Sequence, residues 1–233
     1  MKKILVIILV SLYCSACHEV NGSGNIVSED RTPGNFTGVE AGGAFEIELQ
    51  NENTTRVRVE ADDNLIKFIE TSVDGNTLKI NFKRRMSINN GHFKVYVSAP
   101  EINYINMSGA ATAKIKDVLQ NSDKIKLEAS GASTITGKFD VPTLESDASG
   151  AATIDITGRT KKYIADGSGS ANTKASMLRS ETTEVTASGA ASLHVFSSVS
   201  LTANASGASN IHYKGGGSTV IKTSGAASIQ KED

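Results

Sequence analysis

The sequence predicts an all-β protein: a right-handed parallel β-helix-like solenoid with coils of 18–22 residues, capped by irregular N-terminal strands. Three observations carry this reading. First, Ser-Gly-Ala-Ala begins at Ser108, Ser149, Ser188 and Ser224, with close variants at Ser130, Ser168 and Ser206. The motif glycines Gly109, Gly131, Gly150, Gly169, Gly189, Gly207 and Gly225 are separated by 22, 19, 19, 20, 18 and 18 residues. A near-constant step of this size marks one supersecondary unit per repeat. Second, the fourth residue after each glycine is mostly apolar: Ile135, Ile154, Thr173, Leu193, Ile211, Ile229. So is the sixth: Gly137, Ile156, Ala175, Val195, Tyr213. The third is polar: Thr134, Thr153, Asn172, Ser192, Asn210, Ser228. Such alternation is the period of a strand with one buried face. Third, no repeat contains an amphipathic helical stretch, which disfavours a helical solenoid.

Coils stack at strand spacing, about 4.8 Å, so equivalent side chains lie above one another. A coil this short has a narrow interior, which explains the small Ala and Ser residues. Glycine permits a corner or bulge that a Cβ resists. The stacked serines either form a hydroxyl ladder or sit as small solvated corner residues.

Taken in order, the 233-residue chain opens with a targeting segment. Met1-Lys2-Lys3 is basic and Ile4 to Leu12 is apolar, the size of a signal-peptide core and too short to span a bilayer. Ser15-Ala16-Cys17 resembles a bacterial lipobox, with Cys17 lipidated after cleavage; ordinary cleavage and release is the alternative. Cys14 stands where a lipobox usually has leucine, and it leaves with the signal peptide. The mature chain therefore draws no stability from a disulfide. Residues 1–16 are read as a lipoprotein signal peptide and 17–22 as a tether. His18 rather than Asp follows the cysteine, which resembles sorting to the outer membrane, facing either outward or the periplasm. The net charge is −1 and becomes −3 when Lys2 and Lys3 are removed, so it gives no argument for a nucleic-acid partner. No Trp and few aromatics suit one elongated unit, or two short ones, rather than a thick globular core.

Residues 23–100 read as longer, more charged strands. Ala44–Leu49, Arg56–Glu60, Leu78–Phe82 and Phe93–Val97 alternate apolar and charged residues. Asp74-Gly75-Asn76 is a tight turn. Asn64–Glu70 is the one expected helical turn, with Leu65, Phe68 and Ile69 on one side. This region forms opening coils or a β-layer that caps the regular repeats at 101–230.

Gly22-Ser23-Gly24-Asn25, Phe36-Thr37-Gly38-Val39, Val59 to Leu65, Gly75 to Ile80 and the Ser-Gly-Ala repeats together resemble the head GIN domain adhesin family (DUF2807) of Gram-negative secreted proteins and lipoproteins. The resemblance covers nearly all of the mature chain. It implies a β-helix-like fold and a surface or adhesive role, and it implies no catalytic residues.

Among candidate sites, His194 and His212 each lie five residues after a motif glycine and 18 apart. In register they are outward neighbours near 5 Å apart, in a column with Thr136, Asp155, Lys174 and Gln230. Two stacked imidazoles suit a transition metal, but Lys174 on the neighbouring coil opposes a cation and no third ligand is evident from the spacing; surface decoration is the preferred reading. Glu60, Asp62 and Asp63 suit a solvated loop with a helix N-cap better than a Ca²⁺ site. Asp147, Asp155, Asp166 and Glu184 are read as scattered, without the paired carboxylates of a polysaccharide-cleaving enzyme. The expectation is a non-catalytic, cofactor-free envelope lipoprotein and adhesin for a glycan or protein ligand. The alternative is a structural or assembly-related envelope protein without soluble ligand.

Overall fold

The computed structural model describes residues 19–83 and 87–232. The sixfold column after the glycines is realised residue by residue. Ile135 pairs with Ile154, Ile154 with Thr173, Thr173 with Leu193, Leu193 with Ile211 and Ile211 with Ile229, always in parallel. Ile135 to Ile211 are buried, and Ile229 packs partly buried against them. Each coil has a strand after its glycine corner, a bend about halfway round, and a strand leading to the next corner. In the coils of Thr134–Ala148, Thr153–Gly167 and Asn172–Ala187 a single long strand runs through the bend. Later coils break there, giving Ser192–Phe196 and Ser200–Ala205, then Asn210–Lys214 and Ser218–Thr223. Longer coils absorb their extra residues as register shifts between Lys114 and Val118 and between Asp155 and Thr157.

The glycine corner is a backbone stack. All seven motif glycines have φ between 70° and 74°, a left-handed conformation that costs a residue with a Cβ. The N–H of the following residue donates to the glycine carbonyl one coil below: Ala132 to Gly109 at 2.7 Å, Ala151 to Gly131 at 2.7 Å, Ser170 to Gly150 at 2.7 Å, and so on to Ala226 on Gly207 at 2.8 Å. A Cβ on Gly131, Gly150, Gly169, Gly189, Gly207 or Gly225 would lie 2.8–2.9 Å from that same carbonyl oxygen. The column has an eighth member that the Ser-Gly-Ala pattern does not mark. Ala110 donates to Gly43 at 2.7 Å, and Gly43 has φ of 100°.

Two residues after the corner, Ala111, Ser133, Ala152, Ala171, Ala191 and Ser209 are buried, as the narrow interior requires. In the opening coil the same place is taken by Phe45, stacked on Phe82 at 4.7 Å. The corner serines form no hydroxyl ladder among the described residues. Ser108 and Ser206 only approach the carbonyls of Ala41 and Ala187 at 3.5 Å. The buried Ser133 and Ser209, two residues past their corners, do bond between coils, to the carbonyls of Met107 and Ala187 at 3.0 and 3.1 Å, and further hydroxyls bridge coils at the bends. There Thr160 reaches the Pro142 carbonyl at 3.0 Å and Ser198 the Ser180 carbonyl at 3.0 Å.

The N-terminal region is both opening coil and cap. Gly38–Gly43 lies in parallel between Thr77–Phe82 and Tyr104–Gly109, and Glu46–Asn51 between Phe93–Ala99 and Thr112–Gln120. Antiparallel strands then close this end: Ile69–Asp74 on Thr77–Phe82, and Arg56–Asp62 on Phe93–Ala99 with Ile26–Arg31 beyond it. The expected helical turn is a short 3-10 turn, Ile66–Phe68, between fully buried Leu65 and Ile69. The N-cap expected from Asp62 or Asp63 is absent, because Leu65 caps the turn without a side-chain bond. Asp62 is buried rather than solvated and accepts the backbone N–H groups of Gly24 and His92, each at 2.7 Å. Asp63 takes the Ser23 hydroxyl at 2.6 Å and the Asn25 amide at 2.9 Å. Both acids fasten the Gly-Ser-Gly-Asn loop, which uses up the oxygens a cation would need.

Two outcomes follow for stability. Gly169→Ala combines a positive φ with a backbone collision and is expected to cost about 2 kcal/mol or more, read as a lower urea midpoint. Thr173 is 1% exposed in the apolar column, and its hydroxyl has no hydrogen-bond partner among the described residues. Thr173→Val keeps the shape, removes an unmet donor, and is expected to gain about 1 kcal/mol, read by thermal melting.

Candidate functional site

The bends form an open groove along one side of the solenoid, of about 670 Å³. Register builds its wall: Asp140 pairs with Arg159, and Arg159 with Arg179. Arg159 is held by Asp140 at 2.5 Å. Arg179 has no carboxylate within ion-pairing distance among the described residues; its guanidinium lies over the Phe196 ring, 4.5 Å from the centroid. Lys161 and Glu181 complete the charged lining, with Pro142 and Phe196 as apolar floor. The Arg159–Asp140 pair also borders a second groove of about 600 Å³, which Met177 lines with 71% of its surface exposed. These residues were not singled out in the sequence. The available signal was that Asp140, Arg159 and Arg179 all fall nine or ten residues after a motif glycine.

The candidate acids need one correction. Asp155 and Glu184 do occupy unrelated places, but Asp147 and Asp166 are register partners, each three residues before a motif glycine. Glu128 pairs with Asp147 on the other side, so three carboxylates stack on an outer sheet face. Partial burial in that face, and then the Asp147 charge, raise the Asp166 carboxyl above its ordinary value. Neither Asp147 nor Asp166 lines either groove.

His194 and His212 are register partners, and their rings stack 4.7 Å apart at 9°. Glu232, near the C-terminus, reaches both. Its Oε1 lies 3.0 Å from Nδ1 of His212 and 3.6 Å from Nδ1 of His194. The backbone N–H of Glu232 donates to the Tyr213 carbonyl at 2.9 Å, fixing the tail there. Partial burial, and then the neighbouring His212, hold His194 below its usual value. Lys174 is the register partner of His194 on its other side. Cys17, expected to carry lipid, lies outside the described residues, as do the signal peptide and the start of the tether.

The fold and these surfaces define a class, a β-solenoid whose polar chemistry lies in stacked outer columns and open grooves. Residues 35–217 match the family described as "Putative auto-transporter adhesin, head GIN domain", and the chain belongs to that family. Several solved structures share the fold, among them the following three. One is a "putative adhesin" from Bacteroides fragilis, 20% identical, with TM-score 0.87, covering 91% of this chain and 100% of that one. A "putative lipid binding protein" from Parabacteroides distasonis is 19% identical with TM-score 0.76, covering 92% and 100%. A "putative adhesin" from Parabacteroides merdae is 19% identical with TM-score 0.71, covering 92% and 99%. No curated protein matches the chain in sequence.

A carboxyl whose folded value is raised binds its proton more tightly in the native state, so its ionisation removes stability as pH rises through and above the unfolded value of about 3.9. Asp166→Asn is therefore expected to raise the melting temperature at pH 7 and to leave it unchanged near pH 3.

Proposed function

We propose that this protein is an exported cell-envelope lipoprotein, held in the outer membrane by lipid on Cys17, and that it acts as a non-catalytic adhesin. Its ligand is a glycan or a protein bound along the side of the solenoid. Family membership supports the adhesive role. The observation that carries the ligand reading is Arg179, exposed and free of any carboxylate partner among the described residues, stacked on Phe196. Stacking orders the guanidinium before a ligand arrives, which lowers the entropy lost on binding. A planar fork of donors suits a carboxylate taken two oxygens at a time. Because Arg179 already covers the Phe196 ring, that ring orients the cation instead of serving as a sugar platform. A glycan bearing uronic-acid carboxylates fits this chemistry best. Six or seven residues back along the same strands, the outward column of Thr134, Thr153, Asn172, Ser192 and Asn210 offers sugar hydroxyls successive partners at coil spacing.

Two measurements test the reading. On a glycan array, the purified protein is expected to retain uronic-acid polymers, and Arg179→Ala to weaken them about tenfold or more, the worth of one charge-assisted pair. Equal binding by the variant removes the groove from the reading. Protease treatment of intact cells is expected to digest the protein while a periplasmic control survives. Resistance until the outer membrane is broken would end the adhesin reading in favour of an envelope-structural role.

A further inference from the structure

We propose that His194, His212 and Glu232 form a binding site for a divalent transition-metal ion of the zinc type, which staples three successive coils at the C-terminal end. The site is independent of the groove and of adhesion. Imidazole nitrogen and carboxylate oxygen are the donors zinc takes in sites with two histidines and one glutamate, leaving a fourth position for water. The donor atoms of the three side chains already lie within 4.8 Å of one another. Four-coordinate zinc with bonds of about 2.0–2.2 Å holds its donors about 3.3–3.6 Å apart. The Glu232 oxygen lies 3.6 Å from Nδ1 of His194, within that spacing, and 3.0 Å from Nδ1 of His212, a few tenths of an ångström inside it. Only the two imidazoles must converge. Their side chains are 35% and 26% exposed, so they can turn toward each other without disturbing the core.

Coil register alone explains why two histidines are neighbours, but it does not explain Glu232. The direct register partner of His212 is Gln230, and Glu232 stands two residues further along the strand direction. Its side chain reaches back across that diagonal and past His212 to His194. Both Nδ1 atoms thus face one carboxylate oxygen. Lys174 beside His194 is the opposing charge, and it sets the expected affinity at micromolar rather than tighter. The same three contacts also suit a metal-free clasp in which the imidazoles donate Nδ1–H to Glu232, so the test must separate the two.

The experiment is calorimetric titration of Zn²⁺ into the purified, metal-stripped protein at pH 7.5, paired with thermal melting with and without zinc. One saturable site per chain is expected, with a dissociation constant in the micromolar range and a melting temperature raised by zinc. The double variant His194→Ala/His212→Ala is expected to lose both effects. Glu232→Gln is expected to bind about tenfold more weakly or worse, at least the loss seen when an outer-shell partner is removed. All three side chains are outward, so the metal-free variants should keep the circular dichroism spectrum of the wild type. The absence of saturable uptake up to millimolar zinc overturns the proposal and leaves the clasp. Undiminished binding in the double histidine variant, or in Glu232→Gln, overturns it as well.

Discussion

The constraint on which the structure depends is the contact of one glycine with the glycine a coil below. The peptide N–H after each corner reaches the carbonyl beneath it at 2.7–2.8 Å, a distance that leaves no room for a Cβ. Once this contact is fixed, the rest of the cross-section is narrow. Alanine or serine occupies the buried place two residues after the motif glycines, and larger aliphatic side chains lie in the strands. The polar columns on the outer face follow too, since parallel stacking at strand spacing repeats each outward residue. Groove, carboxylate stack and histidine pair are all products of this single registration.

Much of the fold was legible because the registration is written into spacing. The apolar column from Ile135 to Ile229 could be listed from glycine offsets and is found paired in that order. Where offset failed, other physics intervened. Gly43 belongs to the corner column, yet Ala-Gly-Gly-Ala replaces Ser-Gly-Ala around it, and Phe45 stands where later coils have alanine or serine. The opening coil is wider at that place, so its sequence need not resemble the rest. The corner serines illustrate the opposite failure. Their recurrence suggested a hydroxyl ladder, but the backbone makes the ladder there, and the hydroxyls that bridge coils belong to other residues, among them the buried Ser133 and Ser209 and, at the bends, Thr160 and Ser198.

The candidate sites were less legible. Column reading finds side chains that are direct neighbours, and so it found His194 beside His212. It cannot find a long side chain that crosses the column diagonally, which is how Glu232 arrives. Arg179 was missed because its significance lies in what it lacks: Arg159 one coil below has Asp140, whereas Arg179 has no carboxylate partner among the described residues and lies over the ring of Phe196. Asp147 and Asp166 share a register position that emerges when residues are counted back from the following glycine. Asp62 was placed in a solvated loop by its neighbours in sequence; its burial comes from strands and loops distant along the chain.

The opening coil also governs how such a chain can fold. Later coils close on partners 18 to 22 residues away, whereas Tyr104 must find Gly38 across 66. The longer closure costs about 1 kcal/mol more in chain entropy, and it must occur alongside the antiparallel pairings that complete the cap. Each subsequent coil then adds onto a finished edge at a small, nearly constant cost. Folding of this kind resembles nucleated growth: a slow event at the capped end, followed by rapid zippering toward the C-terminus.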